Sequence, residues 1–263
     1  MIFIPDKFKI EKERKVLEDV KFIKVKSNKN FLPGQFFQIS ILGIGECPLS
    51  PCSFERKHLE FIIRKVGGVT SALYNLKKGD KIFLRGPYGG SYPIDSFLKR
   101  DILLLAGGTG IAPIMCLADY ILKNRERFGR VCVFFGFRDE EHILLYEKIN
   151  KLKEHFEVYI CLDSTNKKGY ENGRIDNVLE KKNFEIKNML AVLCGPEPMM
   201  ESITEKLNKK GLTNDKIYWN MERRMECAIG SCGRCLIQDL YVCKDGPVFR
   251  YDKIKERIEN EKK

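Results

Sequence analysis

The chain has 263 residues, 10 of them cysteine, with 47 Lys and Arg against 36 Asp and Glu, a formal net charge of +11. That length holds one large domain or two ordinary ones, and it contains no uncharged apolar run of the roughly 18 residues needed to cross a bilayer. Met1-Ile-Phe-Ile-Pro-Asp6 runs into charged residues rather than an export signal, so the cysteines are expected as thiols of a reducing, anaerobic cytoplasm and not as a disulfide framework.

Residues 1–97 read as all-β. Strand-like runs cover Lys21–Val25, Gln35–Ile39, Leu59–Arg64 and Lys81–Arg85, separated by the turn signals Pro33-Gly34, Gly67-Gly68, Lys78-Gly-Asp80 and Gly86-Pro-Tyr-Gly-Gly90. Short strands with no long helix between them predict a small barrel, with one short helix over Ser71–Leu76. Residues 98–220 change period. Asp101–Ala106 is a buried strand that turns into a helix running to about Lys123. Strands Val131–Phe135, Phe156–Cys161, Met189–Cys194 and Lys216–Trp219 then alternate with helices over Glu141–Lys153, Ile175–Lys181 and Glu197–Lys210. Such alternation predicts a parallel sheet covered on both faces, with ligands beyond the carboxyl ends of its strands. Residues 221–249 form a cysteine-bearing loop, and 250–263 a charged, exposed helical tail.

Cys227, Cys232, Cys235 and Cys243 are spaced C-x4-C-x2-C-x7-C. The plant-type [2Fe–2S] pattern opens in the same way, with a more distant fourth Cys. Four thiolates on one loop, tightened by Gly230 and Gly233, can wrap a binuclear iron–sulfur cluster, which points to one-electron transfer. A zinc site takes the same ligand type, although usually as C-x2-C pairs, and stands as the alternative: a structural or regulatory module. Cys116, Cys132 and Cys161 lie in apolar contexts and read as core packing. The lysines are spread along the whole chain without an arginine-and-aromatic cluster, so no nucleic-acid partner is expected. The basic surface is either a solvated face or a dock for an acidic, ferredoxin-like electron carrier. Arg223, Arg224 and Arg234 add positive charge beside the cysteines.

Gly107, Gly108, Thr109, Gly110, Ile111, Ala112 and Pro113 occupy a strand-to-helix turn. Glycines there let the backbone approach a pyrophosphate, and the helix N-terminus supplies free N–H groups; the same residues also suit a plain tight turn. Cys194, Gly195, Pro196, Glu197 and Pro198 make a second corner, with Pro198 in the first helical turn where its missing N–H costs nothing. Cys194 either faces a bound nicotinamide there or fills the core. In the β half, Gly67, Gly68, Val69, Thr70 and Ser71 offer N–H groups and two hydroxyls at a helix start, a second phosphate seat. Pro48, Leu49 and Ser50 form an extended, polar-tipped segment.

This order of motifs resembles the ferredoxin–NADP reductase superfamily over nearly the whole chain. The tail, Met221–Cys227 and Tyr241-Val-Cys-Lys-Asp-Gly-Pro-Val-Phe249, is similar to a narrower branch of flavin and [2Fe–2S] electron-transfer subunits. That branch serves anaerobic sulfite reductase, sulfhydrogenases and dihydroorotate dehydrogenase. The short C-x7-C spacing looks most like the electron-transfer subunit of anaerobic sulfite reductase. The resemblance implies an N-terminal antiparallel Greek-key β-barrel for FAD, a Rossmann-like α/β domain for NAD(P)H and a C-terminal cluster loop. It implies that Pro48, Leu49 and a catalytic Ser50 line the flavin ring, and that Gly67 to Ser71 hold the FAD pyrophosphate, with Arg64 supplying charge. Gly107 to Pro113 would meet the dinucleotide, and a catalytic Cys194 with Gly195 to Pro198 would sit beside the nicotinamide. The four spaced cysteines would bind iron. A separate catalytic reductase subunit, carrying sirohaem or iron–sulfur centres, would receive the electrons. The chain departs from the superfamily's Arg-x-Tyr-Ser flavin motif, having Pro48-Leu-Ser50, and has no aromatic C-terminus to cover the flavin. For coenzyme choice, Asp163 suits the free ribose hydroxyl of NADH, whereas Ser164, Lys167 and Lys168 suit the 2′-phosphate of NADPH.

Overall fold

The computed structural model describes residues 4–182 and 185–261; Met1–Phe3 of the expected first domain and Lys262 and Lys263 of the expected tail lie outside them. The first half contains β1 (Asp6–Lys15), β2 (Val20–Lys26), β3 (Phe36–Ile41), β4 (Gly45–Leu49), β5 (His58–Arg64), α1 (Gly68–Asn75) and β6 (Lys81–Tyr88). The six strands make one antiparallel sheet in the order β4-β3-β6-β1-β2-β5. Ile23, Val25, Phe37, Ile39, Phe61 and Leu84 meet inside its curl and Leu73 of α1 plugs it, each large apolar side chain contributing about 1.5–3 kcal/mol by leaving water. The sheet does not close into the expected Greek-key barrel: no hydrogen-bond ladder joins β4 to β5, and both remain edge strands. α1 packs against both of them.

The second half runs α2 (Ile94–Phe97), β7 (Ile102–Gly107), α3 (Ile111–Lys123), β8 (Val131–Phe137), α4 (Tyr146–Lys153), β9 (Glu157–Leu162) and β10 (Glu171–Asn172). It continues with α5 (Ile175–Lys181), β11 (Leu190–Cys194), α6 (Glu197–Lys209), β12 (Ile217–Asn220), β13 (Leu236–Ile237), β14 (Leu240–Tyr241), β15 (Val248–Arg250) and α7 (Tyr251–Glu261). The large sheet has the order β10-β9-β8-β7-β11-β12-β15. β7 is buried along its whole length because both faces are covered. Ile102, Leu104 and Ala106 pack with α3 and α4 on one side; Leu103 and Leu105 pack with α5, α6 and α7 on the other.

Three expectations are corrected. The helix read from Glu141 begins at Tyr146, because the Asp139 carboxylate accepts from the His142 N–H and holds a separate short turn, and Leu145 then takes a left-handed φ of 55°. The sheet is mixed, not purely parallel: β15 returns from the cysteine segment and pairs antiparallel with β12, Asn220 opposite Val248. The tail is a helix as expected, but it is not free of the body. α7 buries Ile254 and Ile258 one turn apart, and Tyr251 stacks on Trp219 with ring centroids 4.6 Å apart. The strand order reverses between β7 and β11, so a crevice opens at their carboxyl ends, where sheets of this kind bind ligands.

Candidate functional site

A cavity of about 720 Å³ lies between the two sheets, beside the open β4/β5 seam. That volume falls within the range of small-molecule and cofactor sites. Pro48, Leu49 and Ser50 at the end of β4 form one wall with Ile62 and Arg64 of β5, and Gly67, Gly68, Val69 and Thr70 form another. Thr109, Ala112 and Pro113 enter from the second sheet, and Asn220 to Glu226 and Pro247 complete the enclosure. Eleven of the residues expected at the flavin or the dinucleotide therefore share one space (Pro48, Leu49, Ser50, Arg64, the four from Gly67 to Thr70, Thr109, Ala112, Pro113).

Not every expected residue reaches that wall. Ser71 is one step inside α1, its N–H given to the Gly67 carbonyl at 2.8 Å. The Thr70 hydroxyl accepts from the Gly67 and Val66 N–H groups at 2.9 and 3.0 Å, so the donors left for a phosphate are backbone N–H groups of the first turn. Arg64 lines the cavity while its Nε donates to Asp19 at 3.0 Å. Gly107, Gly108, Gly110 and Ile111 lie behind the wall, in the turn. Gly110 is there because the two corners touch: a Cβ on it would stand 2.5 Å from the Cys194 carbonyl oxygen.

Cys194 is fully buried rather than open to the crevice. Burial pushes its thiol well above the ordinary range, and the nearby Glu222 charge acts in the same direction. Gly195 takes a φ of 152° at the corner. Glu197, expected at the dinucleotide, pairs instead with Arg223, which also reaches Glu261 of α7 at 3.1 Å. Gly195 to Pro198 thus shape the corner without lining the cavity. At the outer end of β9, Lys167 is held by Glu140 at 2.5 Å and Arg174 by Asp176 at 2.9 Å.

Sequence reasoning misses Glu222. It touches solvent in the open cavity yet is enclosed by its walls, and that enclosure raises its carboxyl above the ordinary glutamate range. The only signal is its place two residues after the buried Asn220, whose Nδ2 donates to the buried Tyr92 hydroxyl at 2.9 Å.

The four spaced cysteines come together on one loop. Cys227 contacts the Cys232 side chain, Cys235 contacts Cys243, and Cys227 is near enough to Cys243 for their charges to interact. Cys235 and Cys243 are buried and Cys232 is exposed. Ala228, Gly230 and Gly233 take positive φ values of 66°, 73° and 77°, which curls the backbone so that N–H groups face sulfur. Ile229 and Ser231 point at Cys227 Sγ at 3.5 and 3.3 Å, and Gly230 points at Cys243 Sγ at 3.2 Å. Burial opposes ionisation of Cys227 but is outweighed by the N–H groups of Ile229, Ser231 and Cys232 and by the Cys232 thiol, which hold Cys227 down at about 6. Burial and the Cys235 thiol push Cys243 up to about 12. Among the described residues no three Cys, His, Asp or Glu side chains close around a single-ion position. The donor set, four thiols with backbone N–H groups aimed at two of the sulfurs, is the one an iron–sulfur cluster takes, whose stability and potential depend on such bonds. No helix among the described residues is long and apolar enough to cross a membrane.

Residues 104–205 match the oxidoreductase NAD-binding domain, and residues 222–255 match the iron–sulfur cluster binding domain of dihydroorotate dehydrogenase B. The chain is 37% identical to the sulfhydrogenase 1 gamma subunit of Pyrococcus furiosus, over 84% of this chain and 80% of that one. It is 35% identical to the probable dihydroorotate dehydrogenase B (NAD(+)) electron transfer subunit of Methanocaldococcus jannaschii, over 90% and 86%. In fold it is similar to the solved structure of an NADH-dependent reduced ferredoxin–NADP oxidoreductase, with a TM-score of 0.76 at 23% identity, over 96% of this chain and 93% of that one. The chain belongs to the family of the sulfhydrogenase gamma and dihydroorotate dehydrogenase B electron-transfer subunits, and is an NAD(P)H-dependent flavin and iron–sulfur oxidoreductase subunit.

Proposed function

We propose that the chain draws electrons from NAD(P)H through FAD seated in the central cavity and a [2Fe–2S] cluster held by Cys227, Cys232, Cys235 and Cys243, and delivers them to a separate catalytic subunit. One observation carries this reading. The same cavity collects Ser50, the α1 N-terminus and the α3 N-terminus, and its wall continues through Met225 and Glu226 into the first cluster cysteine.

A bound flavin supplies the conversion from hydride chemistry to one-electron transfer, and a bound cluster supplies the one-electron outlet. The chain's own residues provide the geometry. Pro48, Leu49 and Ser50 face the flavin ring, and the N–H groups that open α1 take the pyrophosphate. Thr109, Ala112 and Pro113 would meet the coenzyme from the opposite sheet, so that the two halves could hold it against the flavin and exclude water. Cys194, buried behind the wall, would shape the corner beneath the nicotinamide. The coenzyme is NADH in this reading, since the chain is 35% identical to a probable dihydroorotate dehydrogenase B (NAD(+)) electron transfer subunit and, of Ser164, Lys167 and Lys168, Lys167 is drawn to Glu140. Steady-state kinetics should give a kcat/KM preference for NADH of about tenfold or more, ~1.4 kcal/mol; a preference for NADPH would reverse the assignment.

The acceptor is a sulfite reductase carrying sirohaem or iron–sulfur centres, on the strength of the C-x7-C spacing and the Asp245-Gly-Pro-Val-Phe249 ending. A hydrogenase or sulfur-reducing acceptor is the second reading, favoured by the 37% identity to a sulfhydrogenase gamma subunit. The site of action is the cytoplasm, and the net charge of +11 suits an acidic partner face. Anaerobic purification with associated proteins, followed by visible spectroscopy, tests all of this. Flavin and iron–sulfur absorption beside a sirohaem protein supports the first acceptor, and beside a nickel protein the second. A colourless protein containing zinc refutes the function.

A further inference from the structure

Three consecutive carbonyls, those of Met225, Glu226 and Cys227, lead from the cavity wall into the first cluster cysteine. Two side chains from the first sheet hold all three. Gln38 on β3 donates Nε2 to the Met225 oxygen at 3.0 Å and to the Glu226 oxygen at 3.3 Å. Arg85 on β6 donates Nη2 to the Glu226 oxygen at 3.1 Å and Nη1 to the Cys227 oxygen at 2.8 Å. The other edge of the guanidinium belongs to Glu46 on β4: Nε donates to Oε2 at 2.9 Å and Nη2 donates to Oε1. Nη1 also donates to the Tyr88 hydroxyl at 3.1 Å. Gln38 is fully buried and Arg85 is 8% exposed.

Bracing the segment does not need a charge, since Gln38 grips two of the same carbonyls without one. Burying a guanidinium is costly unless it is paired, and here it is paired on one side only. Its carboxylate partner stands on the cavity wall, while its cationic edge lies against the carbonyl of a cluster ligand. In low dielectric a charge so placed acts on the electron count of its neighbour far more than a solvated one does. Arg224 and Arg234, both exposed and paired with Glu226, are screened by water.

We propose that Arg85 is a positioning residue for electron transfer out of the flavin cavity: with Gln38 it fixes the segment between flavin and cluster, and its buried charge favours the reduced state of the cluster. The inference rests on the flavin and cluster assignments made above. Glu46 aims the guanidinium and offsets part of its charge from a greater distance.

The experiment uses the full chain purified anaerobically, with flavin and iron content measured first. EPR-monitored reductive titration then gives the cluster midpoint potential of the wild type, Arg85→Gln, Arg85→Lys and Glu46→Gln. Arg85→Gln should make the cluster about tenfold harder to reduce, a fall of about 59 mV for one electron. Arg85→Lys, which keeps the charge, should recover most of that fall, and Glu46→Gln should move the potential upward. A brace without an electrostatic role would not give opposite signs at these two positions, so unchanged potentials, or shifts of one sign in both, overturn the inference. If Arg85→Gln loses its iron, Glu46→Gln decides: a rise supports the proposal and no shift overturns it. A wild-type chain without flavin or iron would refute the cofactor assignments instead, a result readily told apart from the others.

Discussion

Glu222 is exposed to the open cavity yet crowded by its walls, and its raised affinity for a proton has a consequence for stability. Between the ordinary glutamate pKa and the raised one, the folded chain keeps a proton that the unfolded chain has released. Stability therefore falls as pH rises through that window. Glu222→Gln removes the slope. Urea unfolding of the cofactor-free protein should show the variant equal to wild type below about pH 4 and more stable near neutrality; parallel curves at all pH values would contradict this. The residue also marks the limit of what a sequence discloses. The four cysteines are legible because their spacing lies within one loop. Glu222, Gln38 and Arg85 are not, because what matters about each is a partner or wall supplied from elsewhere in the chain: Arg85 meets Cys227 across 142 positions and Gln38 meets Met225 across 187. The motif puts Cys194 at the right corner, but its thiol is buried in a core cluster drawn from elements far apart in the chain.

Elements announce themselves where burial is continuous. β7 and β11 are apolar runs covered on both faces, and their residues could hardly be anything else. β1 escapes a reading by pattern, since Asp6–Lys15 carries only Phe8 and Ile10 among charged residues and owes its extended form to ladders with β2 and β6. β4 escapes it because Pro48 argues against a strand; it is tolerated on a sheet edge, where a missing donor breaks no inner ladder. The charge pattern of the tail is enough to mark it as helical, yet hides the weight of its two isoleucines. They predict a measurable loss: Ile254→Ala should cost about 2–5 kcal/mol in chemical denaturation, against about 0.5 kcal/mol or less for the exposed Glu256→Ala. Equal small effects at both positions would mean that α7 contributes nothing to the fold.

At the scale of the molecule, the cavity and the cysteine loop share one segment, since Met221 to Glu226 close the cavity wall. The sulfurs lie beyond that segment, on a backbone curled by Ala228, Gly230 and Gly233. Cys232→Ser should therefore empty the iron site and spare most of the flavin, as read by iron analysis and flavin absorbance of the purified variant. Full iron occupancy would show that Cys232 is not a ligand, and joint loss of flavin would show that the two sites do not fold independently. The order of the parts along the chain is legible from motif order alone. The open seam of the first sheet is not, because closure depends on whether β4 and β5 meet, which neither strand's own residues decide.

The antiparallel pairing of Asn220 with Val248, clasped by the Met221 N–H on the Pro247 carbonyl at 2.8 Å, makes residues 221–247 a cassette. Its two ends leave the scaffold side by side, so changes of length near the exposed Cys232 carry a small entropic cost, with β12 and β15 still paired. Its base does not have that freedom: Met221 to Glu226 close the cavity and Met225, Ile237 and Val242 are packed in the core, so the outlet for electrons is anchored to the fold at one end and open to variation at the other.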